Sequence, residues 1–204
     1  MKETCLRVSE IIGCKRALWF KHKNYKKLTA HPLSSAGSEL HWAIKKYILT
    51  KKESLLSEDN KQKFNNFKTF LVGFPHQYMG IQQEKRLFSV DCEPTISGKY
   101  DIIMDGCLID IKSAKYFRTA FQLQLSGYSF LLKQNKKPVK TASVLLLGGS
   151  SPQLIYININ ERGFLNEYKT SCAVLDLPTP PLTTKDYGQC IFCEYVHHCR
   201  GEEK

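Results

Sequence analysis

The residues best suited to chemistry flank a two-residue turn signal, Asp105-Gly106. If these two form the loop of a β-hairpin, Met104 faces Cys107, and counting back along both strands sets Asp101 opposite Asp110. Directly opposed residues share a face of a sheet, with Cβ atoms about 4.5 to 5.5 Å apart. Lys112, two residues beyond Asp110, points to that same face. Two carboxylates and an amine therefore converge. Close carboxylates repel unless a cation lies between them or one is protonated, and oxygen ligands of this kind suit Mg2+ or Mn2+. Lys112 is then placed to orient a water or to steady a developing negative charge. The plainer reading is a surface hairpin whose acids pair with Lys99 and Lys112. Against it, Ile102, Ile109 and Ile111 occupy the other face and Ile103 and Leu108 flank the charges. The acids thus approach a buried zone, where a carboxylate pair needs a compensating partner.

A second set of reactive residues is the eight cysteines. Residues 1–5 lack the apolar core of a signal peptide, so a cytoplasmic location is the expectation, and a reducing compartment does not keep structural disulfides. Metal ligation is the first alternative, and Cys190-x2-Cys193-x5-Cys199 has ligand spacing. His197 and His198 lie within that stretch, which leaves a zinc site of three cysteines and one histidine open. Cys5, Cys92, Cys107 and Cys172 lack such spacing and read as structural thiols.

These groups need a scaffold, and 204 residues with 42% hydrophobic composition supply one domain's worth of core. The formal net charge of +11 favours a polyanionic partner such as nucleic acid. No apolar run reaches the roughly 20 residues of a membrane helix, and no G-x4-G-K-[ST] loop is present, which excludes a self-contained NTP-driven motor. Helical spacing predicts a first helix from Ser9, with Cys14 inside it, running into a basic and aromatic stretch from Lys15 to Lys27. There, Trp19, Phe20 and Tyr25 alternate with cations, as a single-strand path would require, although Trp19 also fits the core stripe. A second helix is predicted from Gly37 to Leu49, capped by Ser34 or Ser35 and carrying His41 at the margin of its stripe. A short helix around Phe64 to Leu71 ends at Gly73-Phe74-Pro75. Strands follow at Leu87–Val90, Tyr100–Met104 and Cys107–Ile111, then a helix from Thr119 to Leu132. Strands at Ser143–Leu147 and Leu154–Ile159 and a helix from Glu161 to Leu175 complete a mixed α/β pattern before the stiff segment Leu177–Pro181.

Gly98-Lys99-Tyr100-Asp101, then Asp110-Ile111-Lys112, then Gln124 and Tyr128, resemble the successive motifs of PD-(D/E)xK nucleases of RecB type. Gly37 and His41 match the preceding histidine motif, and Cys14 with Cys190, Cys193 and Cys199 matches the one-plus-three cysteine pattern of the iron-sulfur branch. From about residue 9 to 199 the chain resembles the CRISPR-associated RecB-like iron-sulfur exonucleases. It departs from them in having Asp110 where Glu is commoner and Lys15 where proline is usual.

The resemblance implies a restriction-endonuclease-like fold over residues 1–204, a mixed sheet flanked by helices. Segments 1–30 and 177–204 would join at a 4Fe-4S cluster held by Cys14, Cys190, Cys193 and Cys199. His41, Asp101, Asp110 and the Ile111 carbonyl would bind Mn2+ or Mg2+, Lys112 would position the attacking water, and Gln124 and Tyr128 would contact the substrate strand. The implied activity is exonuclease action on DNA, single strands preferred, trimming spacer precursors beside the Cas integrase complex in antiviral defence. Two alternatives are a phage or plasmid recombination nuclease of the same fold and a non-catalytic DNA-binding or integrase-docking subunit.

Overall fold

The computed structural model describes residues 5–27, 32–73, 82–83, 85–182, 190 and 193–201. Its centre is the hairpin of β5 (Ile102–Met104) and β6 (Cys107–Lys112), paired antiparallel with Met104 opposite Cys107 and Ile102 opposite Ile109. Asp105 and Gly106 both take positive φ, 51° and 79°, the backbone of a tight two-residue turn and the reason an Asp-Gly pair serves there. Around the hairpin a five-stranded sheet runs β2-β5-β6-β7-β8, with β2 at Gln82–Gln83, β7 at Thr141–Leu146 and β8 at Gln153–Ile157. β7 lies parallel to β6 and antiparallel to β8. The parallel step requires a crossover, supplied by α5 (Thr119–Gln134).

A three-stranded sheet, β1-β4-β3, stands beside it. β1 (Cys5–Arg7) pairs parallel with β4 (Thr95–Lys99), and β3 (Arg86–Phe88) pairs antiparallel with it. The single expected strand Tyr100–Met104 is therefore two: the chain leaves one sheet after Lys99, passes Tyr100 and Asp101, and enters the other at Ile102.

Alternation along β5, β6 and β7 sorts the core onto two faces. Ile103, Leu108, Val144 and Leu146 pack with Leu125, Tyr128, Leu131 and Leu132 of α5 and Phe164 of α6 (Glu161–Leu175). Ile102, Ile109, Ile111 and Leu145 pack on the other face against α3 (Pro32–Thr50) and α4 (Glu58–Gly73), through Leu40, Ile44, Phe64 and Phe67. α3 begins at Pro32, a residue suited to a first helical turn, so Ser34 and Ser35 lie inside the helix instead of capping it. α4 is longer than Phe64 to Leu71 implied, and Gly73 is its last residue, while Phe74 and Pro75 fall outside the described residues. α6 has the expected bounds, its start capped by Asn160, whose side chain accepts the Gly163 N–H at 2.8 Å.

The first predicted helix is also two, α1 (Val8–Ile11) and α2 (Lys15–His22), and Cys14 occupies the N-cap of α2 instead of a helix interior. A small cluster of Trp19, Phe20, Val174 and Tyr195 packs α2 against the end of α6 and the segment before α7 (Val196–Arg200), with Cys193 and Cys199 at its margin. The Trp19 indole donates to the Leu177 carbonyl at 2.9 Å. Trp19 and Phe20 are therefore core residues. Lys15 pairs with Glu167, Lys21 with Glu10 and Lys27 with Glu194, whereas Tyr25 is 42% exposed and Lys23 and Lys26 are exposed. No described helix is long and apolar enough to cross a membrane.

Candidate active site

Where the chain passes between sheets, β5 stops pairing at Ile102, and the register that opposes Asp101 to Asp110 runs one residue beyond the last pair. A side chain takes over from the backbone there: Asp101 Oδ2 accepts the Ile111 N–H at 2.7 Å. Since the N–H and C=O of one strand residue point to the same edge, the Ile111 carbonyl also faces the gap beside Asp101. Asp110 projects to the α5 face and is only 2% exposed. Its Oδ2 lies 2.8 Å from Lys112 Nζ, yet that buried oxygen has no well-directed hydrogen bond. The contact is thus electrostatic first and directional second.

α5 holds Lys112 from the far side. Lys112 Nζ donates to Gln124 Oε1 at 2.8 Å, and Gln124 Nε2 donates to the Tyr128 hydroxyl at 2.8 Å, the four-residue spacing putting both on one helical face. Tyr128 is buried against Gly98: a Cβ there would stand 3.0 Å from the ring and 2.8 Å from Leu131. The glycine is what lets α5 come close enough for the Gln124–Lys112 contact. From the opposite side of the sheet, α3 brings His41, whose Nδ1 lies 3.2 Å from Asp101 Oδ1.

The charges at this junction set each other's protonation. Burial pushes the Asp110 carboxyl up, and the nearby negative charge of Asp101 adds to that; Lys112 opposes but does not cancel them, leaving a pKa of about 6. For Asp101, burial is outweighed by the hydrogen bond and charge of His41 and by the Ile111 N–H, so its pKa falls below the ordinary value. Burial also works against the His41 cation, but the hydrogen bond to Asp101 and the charges of Asp101 and Asp110 raise its pKa. One carboxylate is held ionised, and the other is half protonated at about pH 6.

Among the described residues no three His, Cys, Asp or Glu side chains already form a metal-binding group; His41 and Asp101 contact each other instead. The donor set nevertheless fits a hard divalent ion, because Asp110 presents a buried, poorly satisfied carboxylate oxygen beside a second carboxylate, a carbonyl and an imidazole. Asp101 and Lys112 line a cleft of about 1090 Å3, with Asp110 behind its floor. Arg7, Lys45, Lys99 and Trp42 complete its basic rim. Arg7 comes from β1, whose non-local parallel pairing left no sequence signal. Trp42 was detectable as the large apolar residue of α3 lying off the Leu40–Ile44 stripe.

Cys14 and the C-terminal cysteines lie in one neighbourhood beside the cleft. Burial raises the Cys193 pKa, and repulsion from Cys14, Cys199 and Cys190 raises it further; burial acts likewise on Cys199, which also feels Cys14 and Cys190. Cys14 and Cys193 line one cavity of about 310 Å3 together with Arg7 and Ser9, which line the basic cleft as well. Thiolates are the usual ligands of an iron-sulfur cluster, but among the described residues these cysteines form no ready metal-binding group. His198, by contrast, is engaged elsewhere, its Nε2 3.0 Å from the Lys26 carbonyl and its ring against Phe20 and Tyr25.

No protein-family model and no curated protein matches the sequence. Among solved structures, a protein of Eubacterium rectale whose name is that of an exonuclease superposes with a TM-score of 0.56 at 13% identity, over 99% of this chain and 90% of that one. The protein SSO0001 superposes with a TM-score of 0.54 at 12% identity, over 100% of this chain and 89% of that one. The chain shares its fold with both. At these identities the likeness concerns the arrangement of helices and mixed sheets, and the chemistry rests on the side chains described above.

Proposed function

We propose that this chain is a divalent-metal-dependent DNA exonuclease that prefers single-stranded ends. The observation that carries the reading is the meeting of Asp101, Asp110 and Lys112 beneath a cleft rimmed by Arg7, Lys45 and Lys99. A structural ion pair would need neither the second carboxylate nor the open basic cleft. The fold shared with an exonuclease-named protein and the net charge of +11 support it.

His41, Asp101, Asp110 and the Ile111 carbonyl are the groups that would hold Mn2+ or Mg2+. Bound there, the ion would polarise a phosphoryl oxygen and lower the pKa of a water. Lys112 has three N–H donors, of which Gln124 fixes one and Asp110 attracts another; the remaining donor orients the attacking water or a non-bridging phosphate oxygen. Gln124, turned inward between Lys112 and Tyr128, positions that lysine, and its exposed side borders the substrate strand. In hydrolysis the water oxygen bonds to phosphorus, the phosphorus–sugar oxygen bond breaks, and the water's proton is released as the departing oxygen gains one. Arg7, Lys45 and Lys99 balance the phosphates on either side.

The resemblance extends the proposal to a 4Fe-4S cluster on Cys14, Cys190, Cys193 and Cys199 that ties segments 1–30 and 177–204 together. It also extends it to spacer trimming beside the Cas integrase in the cytoplasm. The neighbourhood of the four thiols supports the cluster. The test is digestion of end-labelled single and double strands with Mg2+, with Mn2+ and with chelator. Metal-dependent shortening of single strands, lost in Asp101→Ala and Lys112→Ala, is the expected result. No cleavage with either ion, or a Lys112→Ala variant cutting near the wild-type rate, would overturn the reading.

A further inference from the structure

Trp42 is 56% exposed, although its helix neighbours Leu40, Ala43 and Ile44 are buried almost completely. Its ring lies against Lys46, a turn further along α3, whose ammonium lies 5.0 Å from the ring centroid, and an exposed pair of that kind contributes under about 1 kcal/mol. Its location is specific: Trp42 follows His41 in sequence and lines the same cleft as Asp101 and Lys112. Along α3, the cleft is lined by Gly37, Ser38, His41, Trp42 and Lys45. A Cβ at Gly37 would meet open space, so the cleft is open at that point of α3.

An aromatic face beside paired cations at the mouth of a phosphate-directed cleft is the arrangement that grips single-stranded nucleic acid, the ring taking a base and the cations its phosphates. We propose that Trp42 stacks on one nucleobase of the substrate strand next to the phosphate over Asp101 and Lys112, while Lys46 meets a neighbouring phosphate. The ligand is a single-stranded polynucleotide of any sequence, since every base offers a π-face. Within a duplex both faces of an internal base are already stacked, so the platform favours unpaired ends. The inference rests on the nuclease reading for the placement of the scissile phosphate, whereas the stacking itself is tested without cleavage.

In chelator, the wild type, Trp42→Phe and Trp42→Ala are titrated with a labelled oligothymidylate and with a set of the same oligomer carrying one abasic position at each step. Stacking predicts that Trp42→Ala binds the intact oligomer about tenfold more weakly, while Trp42→Phe stays within about threefold of wild type. It also predicts that one abasic position weakens the wild type by a similar factor and leaves Trp42→Ala unaffected. Indole emission should be quenched on binding by the wild type and not by Trp42→Phe, because Trp19 is buried, and this readout holds even if the alanine variant folds poorly. Equal abasic penalties in wild type and Trp42→Ala, or unchanged emission in the wild type, would overturn the inference. Cleavage by the wild type with Mg2+ or Mn2+ is scored separately. Coupling without cleavage removes the nuclease reading alone, and cleavage without coupling removes the stacking role alone.

Discussion

Replacing Asp110 by asparagine should make the metal-free protein more stable while ending its activity. The carboxyl is 2% exposed and its pKa stands at about 6 instead of 3.8, so ionising it in the folded chain costs about 3 kcal/mol by linkage. Asparagine removes that cost and keeps a side-chain oxygen toward Lys112. The attraction of Lys112, 2.8 Å away, is already contained in that pKa, so the gain is up to about 3 kcal/mol, or about 6–12 °C in Tm for a chain of this length. The pH dependence fixes the cause. A raised folded-state pKa means the cost is absent below the unfolded value of 3.8, grows as pH rises, and is complete above about 6. The advantage of Asp110→Asn should therefore be full at pH 7.5, about half as large at pH 5 and nearly gone at pH 4. His41 also titrates with a raised pKa, its stabilisation present below 6.5 and lost as pH rises past its folded value, but it is common to both proteins and largely cancels. The assay is urea or thermal unfolding in chelator at the three pH values, followed by Mg2+ addition, which should stabilise the wild type more than the variant. A variant less stable than wild type at pH 7.5, or a difference independent of pH, would refute the assignment of Asp110 as a strained carboxylate awaiting a cation.

Cys14→Ser should lose iron, visible colour and several degrees of thermal stability together, whereas Cys5→Ser should lose none; stoichiometric zinc without iron in anaerobically prepared protein would instead point to a zinc site. Gly98→Ala forces a methyl to within 2.8 Å of Leu131 and 3.0 Å of Tyr128 and should cost about 1–3 kcal/mol. Its cleavage rate should fall further than its stability explains, because α5 carries Gln124; unchanged cleavage would show that the α5 approach does not matter. Affinity for single-stranded DNA should fall steeply between 50 and 200 mM salt, on the order of tenfold or more, and a flat response would point to another partner.

The parts of this molecule that were legible in its sequence are those whose cause is local. Asp105-Gly106 dictates its own turn, and the turn dictates the register of β5 and β6 and thus the meeting of Asp101, Asp110 and Lys112. α6 announces itself through Asn160 and a strong apolar stripe. What escaped depends on distant chain. β1 pairs with β4 across some ninety residues, Cys5 against Thr95, and nothing within three residues of Cys5 encodes that. The break at Tyr100–Asp101 looks like continuous strand because both sheets demand the same alternation on either side of it. In the stretch from Lys15 to Lys27, Trp19 and Phe20 are drawn inward by Val174 and Tyr195, and Lys15, Lys21 and Lys27 find acidic partners in α6, α1 and at Glu194, none of which the local spacing reveals.

The passage from one sheet to the other has a consequence for how such a protein tolerates changes in length. Side chains alternate sides along a strand, so adding or removing one residue between Gly98 and Ile102 would turn either Asp101 or Gly98 to the wrong side. Shifting the aspartate would forfeit its contacts with Ile111 and His41, and shifting the glycine would drive a side chain into Tyr128. By contrast, residues 51–57 form a mostly exposed connection between α3 and α4, where extra residues leave every group of the cleft in place. Insertions and deletions should therefore accumulate in that connection and be purged from the four-residue span before β5, which makes the spacing from Gly98 to Ile102 a more durable mark of this architecture than the identity of any one residue within it.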